Sequence, residues 1–284
     1  MFFWIGPNSV VYDLSSGTDY AAKIDGATGG KSDHAHPHYS QCLVKMDNFF
    51  ITQEPYIQSS NQRFIGRLGN KLIKSLGLRY TLQQHLDWTT DMNSVEQRIN
   101  YFHLLDAVIA YQVPGDVVEL GCYTGQCAML FQKIIADHRS DKQLHLYDSF
   151  DTHFSFKGNI EQELVSNFAK ANLRQPILHK GYFERTLPAA LPEQICFAHV
   201  DCGFGGNPQQ HSEIMLHCLT HIYPRLSPGA VVVLMDYHDN QTGDKGADAN
   251  PGVKLACDTF FAGKPEQVAS LYGNEYSHGF FRKL

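Results

Sequence analysis

Four acids in this sequence stand where runs of apolar residues end: Glu119 in DVVELG, Asp148 in QLHLYD, Asp201 in CFAHVD and Asp236 in AVVVLMDY. A carboxylate at the end of a buried strand is costly unless something meets it, whether a following turn, a helix start or a ligand. If the apolar runs lie parallel, the four acids share one rim. After Glu119 the chain reads Gly121-Cys122-Tyr123-Thr124-Gly125 before a helical pattern starts near Gln126. Two glycines give that turn its backbone freedom and let a ligand approach the main chain.

The spacing is GxxxG, not GxGxxG. Tyr123 takes the place where a dinucleotide loop needs a second glycine to admit a pyrophosphate, and Asp148 lies farther along than dinucleotide spacing expects. The turn therefore suits a nucleoside-bearing ligand without a diphosphate. S-adenosylmethionine fits that description, with its amino-acid end against the glycine turn and its ribose hydroxyls on an acid at the end of the second strand.

The elements that must position these residues alternate regularly from Asn93 onward. Asn93 or Ser94 caps a helix, with Glu96 or Gln97 completing a capping box. Tyr101, Leu104, Leu105, Val108 and Ile109 share its apolar face, and Pro114-Gly115 stops it. Strands at DVVELG, QLHLYD, PILHKG, CFAHVD and AVVVLMDY alternate with helices at GQCAMLFQKIIADH, IEQELVSNFAKANL, from about Gln210 to Tyr223, and near GVKLACDTFFAG. Alternation of this kind means parallel pairing with helices on both faces. EQVASLY and SHGFFRKL, separated by Gly273-Asn274, have too short a link for a crossover and must be antiparallel neighbours. The expected fold is α/β, a doubly wound Rossmann-like sheet of seven strands with an antiparallel last strand. Ligands in such sheets sit beyond the carboxyl ends of the strands, where strand order reverses.

The 284 residues are 43% hydrophobic and 12% aromatic, enough for a sizeable core. A net charge of -6 argues against holding nucleic acid through phosphate contacts. The seven cysteines are odd in number and show no CxxC spacing, as small core residues in a reducing compartment would. MFFWIG lacks a basic n-region and no apolar run reaches membrane-spanning length, so a cytoplasmic protein without membrane contact is expected. Residues 1–90 read as an N-terminal extension and 91–284 as the main domain. Within the extension, His34, His36 and His38 sit in a Gly/Ser/Asp-rich tract that reads as solvated rather than metal-binding. FIGRLGNKLIKSLGL, from Phe64 to Leu78, is an amphipathic basic helix, a candidate lid or homodimer contact.

In order, ELGCYTG, LYDSFD, KGYFERTLP, HVDCG and HIYPRLSPGAVVVLMDY resemble the macrocin O-methyltransferase (TylF-type) family of class I S-adenosylmethionine-dependent methyltransferases, from about Asp91 to the C-terminus. The resemblance implies that Glu119, Gly121, Tyr123 and Gly125 line the methionine part of the cofactor. It places Asp148 and Ser149 on the ribose, and Gly181, Tyr182 and Phe183 beside the adenine. It also implies a divalent metal, held by carboxylates after the fourth and fifth strands, and methylation of a hydroxyl on a sugar or similar small metabolite. The chain departs from the family there. Where the pattern is VDxDxYxST, this sequence has VDCGFGGNPQQHSE, with Gly203 in place of the second acid. The paired acids before Tyr237 are Met235-Asp236. Asp201 and Asp236 are left as a candidate Mg2+ pair.

Methyl transfer to a hydroxyl needs alignment of the acceptor and a base for its proton, and histidine suits the base. His153 and His238 follow the second and fifth strands and are the candidates, with Asp201 orienting the acceptor. His199, inside a strand, is expected to point into a helix–sheet layer. Two other readings compete: a nicotinamide-dependent oxidoreductase, and a protein that keeps the fold and cofactor but has lost turnover.

Overall fold

The structure is a computed structural model describing residues 60–80, 93–153, 156–203, 206–274 and 276–284. The histidine tract at 34–38 and Cys42 lie outside the described residues. The first described element, α1 (Ser60–Ser75), matches the amphipathic segment read from the sequence. It ends where Gly77 turns to φ +70°, and Leu68, Leu72 and Leu76 are exposed along it.

Helix α2 (Val95–Ala110) begins with the capping box. Ser94 Oγ accepts from Gln97 N at 3.0 Å, and Gln97 Oε1 accepts from Ser94 N at 2.9 Å. Ser94 also donates to Gly273 O at 2.7 Å, so the cap ties the helix to the loop between the last two strands. Removing one such hydroxyl costs about 1–2 kcal/mol. Ser94→Ala should therefore lower the unfolding free energy by that amount, seen in urea unfolding as a lower midpoint at an unchanged m-value.

The chain continues as β1 (Asp116–Leu120), α3 (Gln126–Asp137), β2 (Leu144–Asp148), α4 (Ile160–Lys170), β3 (Ile177–Lys180), the short α5 (Phe183–Thr186), β4 (Ile195–Val200), α6 (Pro208–Ile222), β5 (Leu226–Leu234), α7 (Gly252–Phe261), β6 (Ala269–Leu271) and β7 (His278–Arg282). Helix α6 starts two residues earlier than its apolar pattern suggests, because Asn207 accepts from Gln209 N and Pro208 occupies the first turn.

The seven strands order as β3-β2-β1-β4-β5-β7-β6. Strands β1 to β5 pair in parallel; β7 runs antiparallel to both β5 and β6. The expected seven-stranded mixed sheet is therefore present, with β7 inserted between β5 and β6. Strand β4 is buried at every position, as are Ala230 to Leu234 of β5, and Tyr101, Leu105 and Val108 of α2 are fully buried. The order reverses between β1 and β4, so the carboxyl ends of those strands open the crevice where a ligand is expected. All six described cysteines are buried free thiols.

Candidate active site

The turn after β1 closes against the end of β4. Gly121 has φ +86°, and a Cβ there would lie 1.8 Å from the carbonyl oxygen of Asp201. Gly125 has φ +85° and caps α3 in the left-handed region. Between them Tyr123 also takes positive φ, +46°. Asp148, at the end of β2, holds this turn. Its Oδ2 accepts from Cys122 N at 3.0 Å and Tyr123 N at 2.9 Å, and its Oδ1 accepts from Phe150 N at 2.8 Å.

Two adjoining cavities open here, of about 360 and 420 Å³. The first brings Glu119, Asp148, Asp201 and Asp236 to one space, beside Gly121, Tyr123 and Gly203. The second runs from Gly121, Tyr123 and Asp148 past Ser149 to Gly181, Tyr182 and Phe183. Gly125 does not line either cavity; it starts the helix behind them. The exposed Asp151 accepts from Ser149 Oγ and, at 2.7 Å, from Tyr182 OH, which holds its carboxyl below the ordinary range. Sequence reasoning passed over Asp151; the signal was the second acid of YDSFD.

Glu119 and His199 form a buried pair, Oε1 to Nδ1 at 2.9 Å, each side chain 1% exposed. Burial raises the Glu119 carboxyl well above the ordinary range, and burial lowers His199 to about 3. Both shifts favour uncharged groups joined by one hydrogen bond. Glu119 Oε2 and His199 Nε2 have no hydrogen-bond partner among the described residues. His199 lies against Tyr101 and Phe131, inside the helix–sheet layer as expected.

The buried histidines set a pH signature. His199 and His278 are each lowered to about 3, chiefly by burial. The unfolded chain takes up a proton at each near 6.5 that the folded chain refuses. Their stability contribution is complete above about 6.5 and is lost as pH falls toward about 3, at up to about 1.4 kcal/mol per pH unit for each. Buried acids with raised values, Glu119 and Asp201, act in the opposite sense: their contribution is lost as pH rises through their folded values. His278→Gln should therefore flatten the fall in melting temperature between pH 6.5 and 4.5 relative to the wild type. An unchanged slope would contradict this account.

Neither histidine proposed as a base lines either of these two cavities. His153 is exposed, with Nδ1 3.3 Å from the carbonyl oxygen of Phe156. His238 is buried, with Nδ1 2.8 Å from Ser277 Oγ and Nε2 2.8 Å from Asn240 Oδ1. His211, on α6, is buried against Gly203 and Gly252 and interacts electrostatically with Asp236.

The acids themselves are poorly suited to Mg2+. Burial and mutual repulsion raise Asp201, and burial raises Asp236, whose Oδ2 accepts from Asn250 Nδ2 at 2.6 Å. Just before Asp236, where the resemblance expects an acid, stands Met235, whose Sδ accepts from Tyr101 OH at 3.0 Å. A thioether is a poor ligand for a hard cation that wants about six oxygens. Among the described residues, the only three potential ligands within 4.8 Å of one another are Glu119, Cys127 and His199, which include neither Asp201 nor Asp236.

A reversed-order sheet with a glycine turn at its switch point, an acid at the end of β2 and an antiparallel β7 defines the class I methyltransferase fold. The chain belongs to the macrocin-O-methyltransferase (TylF) family, whose sequence model matches residues 83–248. It is similar to mycinamicin III 3''-O-methyltransferase of Micromonospora griseorubida, 27% identical over 162 residues, covering 49% of this chain and 61% of that protein. It is also similar to demethyldecarbamoylnovobiocin O-methyltransferase of Streptomyces niveus, 26% identical over 176 residues, covering 53% of this chain and 64% of that protein. The aligned part thus spans less than two thirds of these relatives. Among solved structures, the O-methyltransferase NovP superposes with a TM-score of 0.54 at 22% identity, over 66% of this chain and 80% of that one, which supports the fold. No helix among the described residues is long and apolar enough to cross a membrane.

Proposed function

We propose that this chain transfers a methyl group from S-adenosylmethionine to a hydroxyl of a small metabolite, a sugar hydroxyl being the favoured acceptor, through a domain covering residues 91–284. The observation that carries the proposal is the cavity beyond β1, lined together by the glycine turn, Asp148 and Glu119, whose Oε2 has no hydrogen-bond partner among the described residues. The bound cofactor supplies a methyl group activated by a sulfonium. Gly121 and Tyr123 would border its methionine end, and Glu119 would meet its ammonium group. Asp148 and Ser149 face the ribose, while Tyr182 and Phe183 flank the base. Asp201 and Asp236 would hold the acceptor hydroxyl in line, with Asp236 taking the proton it releases, and alignment supplies much of the rate. Support for a natural-product acceptor comes from the matched relatives, named for O-methylation of mycinamicin III and demethyldecarbamoylnovobiocin.

Calorimetry with S-adenosylhomocysteine tests the reading, and absence of binding would remove it. Burial pushes the Glu119 carboxyl up, and an arriving ammonium favours its charged form. Binding should therefore release protons, seen as a heat that depends on the buffer's ionisation enthalpy. Glu119→Gln should abolish that dependence.

A further inference from the structure

The two family acids absent from this chain have not left holes. At Gly203 an added Cβ would meet His211 at 2.8 Å (Cε1) and 2.9 Å (Nε2), and Asn250 Nδ2 at 3.2 Å. The same imidazole is closed from its other side by Gly252, where a Cβ would lie 2.8 Å from His211 Cβ and 3.0 Å from Nδ1. His211 is therefore seated between two glycines, and the room that a side chain at 203 would need is already taken. At the second position, Met235 Sδ accepts from Tyr101 OH at 3.0 Å and from Gln97 Nε2 at 3.6 Å, both buried. The remaining acid of that strand end, Asp236, takes the Asn250 amide at 2.6 Å.

Building on the methyltransferase reading above, we propose that the floor of this site works without a divalent cation, and that His211 and Asn250 stand where the metal-binding arrangement would otherwise be completed. Mg2+ usually keeps several waters and relies on one or two free carboxylates. Here Asp236 is committed to the Asn250 amide, and the groups standing where further acids would complete the set are a thioether and an imidazole. The titratable groups facing His211 are Cys202 beyond β4, with Sγ 4.0 Å from Nε2, and Asp236 beyond β5. From α7 it meets the uncharged backbone of Gly252. His211 is thus a positioning residue: it fills the space beside Gly203, while Asn250 holds the Asp236 carboxylate through its amide.

Electron paramagnetic resonance of Mn2+ with the full chain tests this without knowledge of the acceptor. The free-ion signal should be undiminished by the wild type, with or without S-adenosylhomocysteine. A loss of signal that disappears in Asp201→Asn/Asp236→Asn overturns the proposal; a loss that survives that double variant places the ion elsewhere and leaves it standing. Gly203→Asp/Met235→Asp should still bind no Mn2+ while His211 fills the space, and adding His211→Ala should produce a loss of signal. Uptake by the variant that retains His211 would count against the seat assigned to it. Failure to bind S-adenosylhomocysteine would sink the methyltransferase reading instead, while the wild-type Mn2+ result without cofactor remains readable.

Discussion

Gly121→Ala should abolish binding of S-adenosylhomocysteine and destabilise the fold by on the order of 3 kcal/mol or more. The methyl group would be placed 1.8 Å from the carbonyl oxygen of Asp201, which is backbone. Asp201 is itself fixed, because its N–H donates to Leu120 O at 2.8 Å in the β1–β4 ladder. Neither strand can yield without opening the centre of the sheet. Gly125 provides the control. It has almost the same φ, but a Cβ there would meet only side-chain atoms, Leu164 Cγ at 3.0 Å and Phe168 Cε2 at 3.2 Å. Gly125→Ala should cost about 1–2 kcal/mol for the left-handed backbone and retain measurable binding. Urea unfolding gives the two stabilities and calorimetry gives the two affinities. Equal, mild effects at both glycines would show that the turn is not built around the close approach at 121.

The contrast between these glycines marks how far the sequence could be read. Both were legible as turn residues, since a strand pattern passes into a helix pattern within a few residues. Which of them touches the opposite strand was not, because Asp201 lies eighty positions away and the contact depends on how β1 and β4 pair. The four acids at apolar run ends were legible for the same reason as the strands. Parallel pairing puts those ends at one edge, and the cavity does collect Glu119, Asp148, Asp201 and Asp236.

The histidines were harder, because proximity in sequence to a strand end does not fix the direction of a side chain. Asp236 takes φ +58°, turning the chain so that His238 goes inward to Ser277 and Asn240 and not toward the cavity. His211 comes beside Gly203 and Asp236 from the first turn of α6, beyond a loop with no periodic signal to place it. Its cue was negative: Gly203, where a family acid was expected, needed something to fill the space. Glu119–His199 was half legible. The burial of His199 followed from its place in a strand, but its partner follows from register, Glu119 lying opposite His199 across the β1–β4 ladder.

Asp148→Ala should weaken cofactor binding by on the order of 100-fold, about 2.7 kcal/mol, with Asp148→Asn nearer tenfold. The carboxylate already serves the turn: Oδ2 accepts from two backbone N–H groups and Oδ1 from one. Each carboxylate oxygen offers about two lone-pair sites, so Oδ2 is full and Oδ1 has room for one further donor. Asp148 can then take one ribose hydroxyl, not both. The second must be met by its neighbours, and Ser149 and Asp151, already joined to each other and to Tyr182, stand next in the loop. S-adenosylhomocysteine analogues lacking the 2'- or the 3'-hydroxyl separate the two contacts. Against one analogue, Asp148→Asn should lose no more affinity than the missing hydroxyl already costs; against the other, the two losses should add. If both losses add fully, Asp148 serves the cofactor only through the glycine turn and the ribose is held elsewhere.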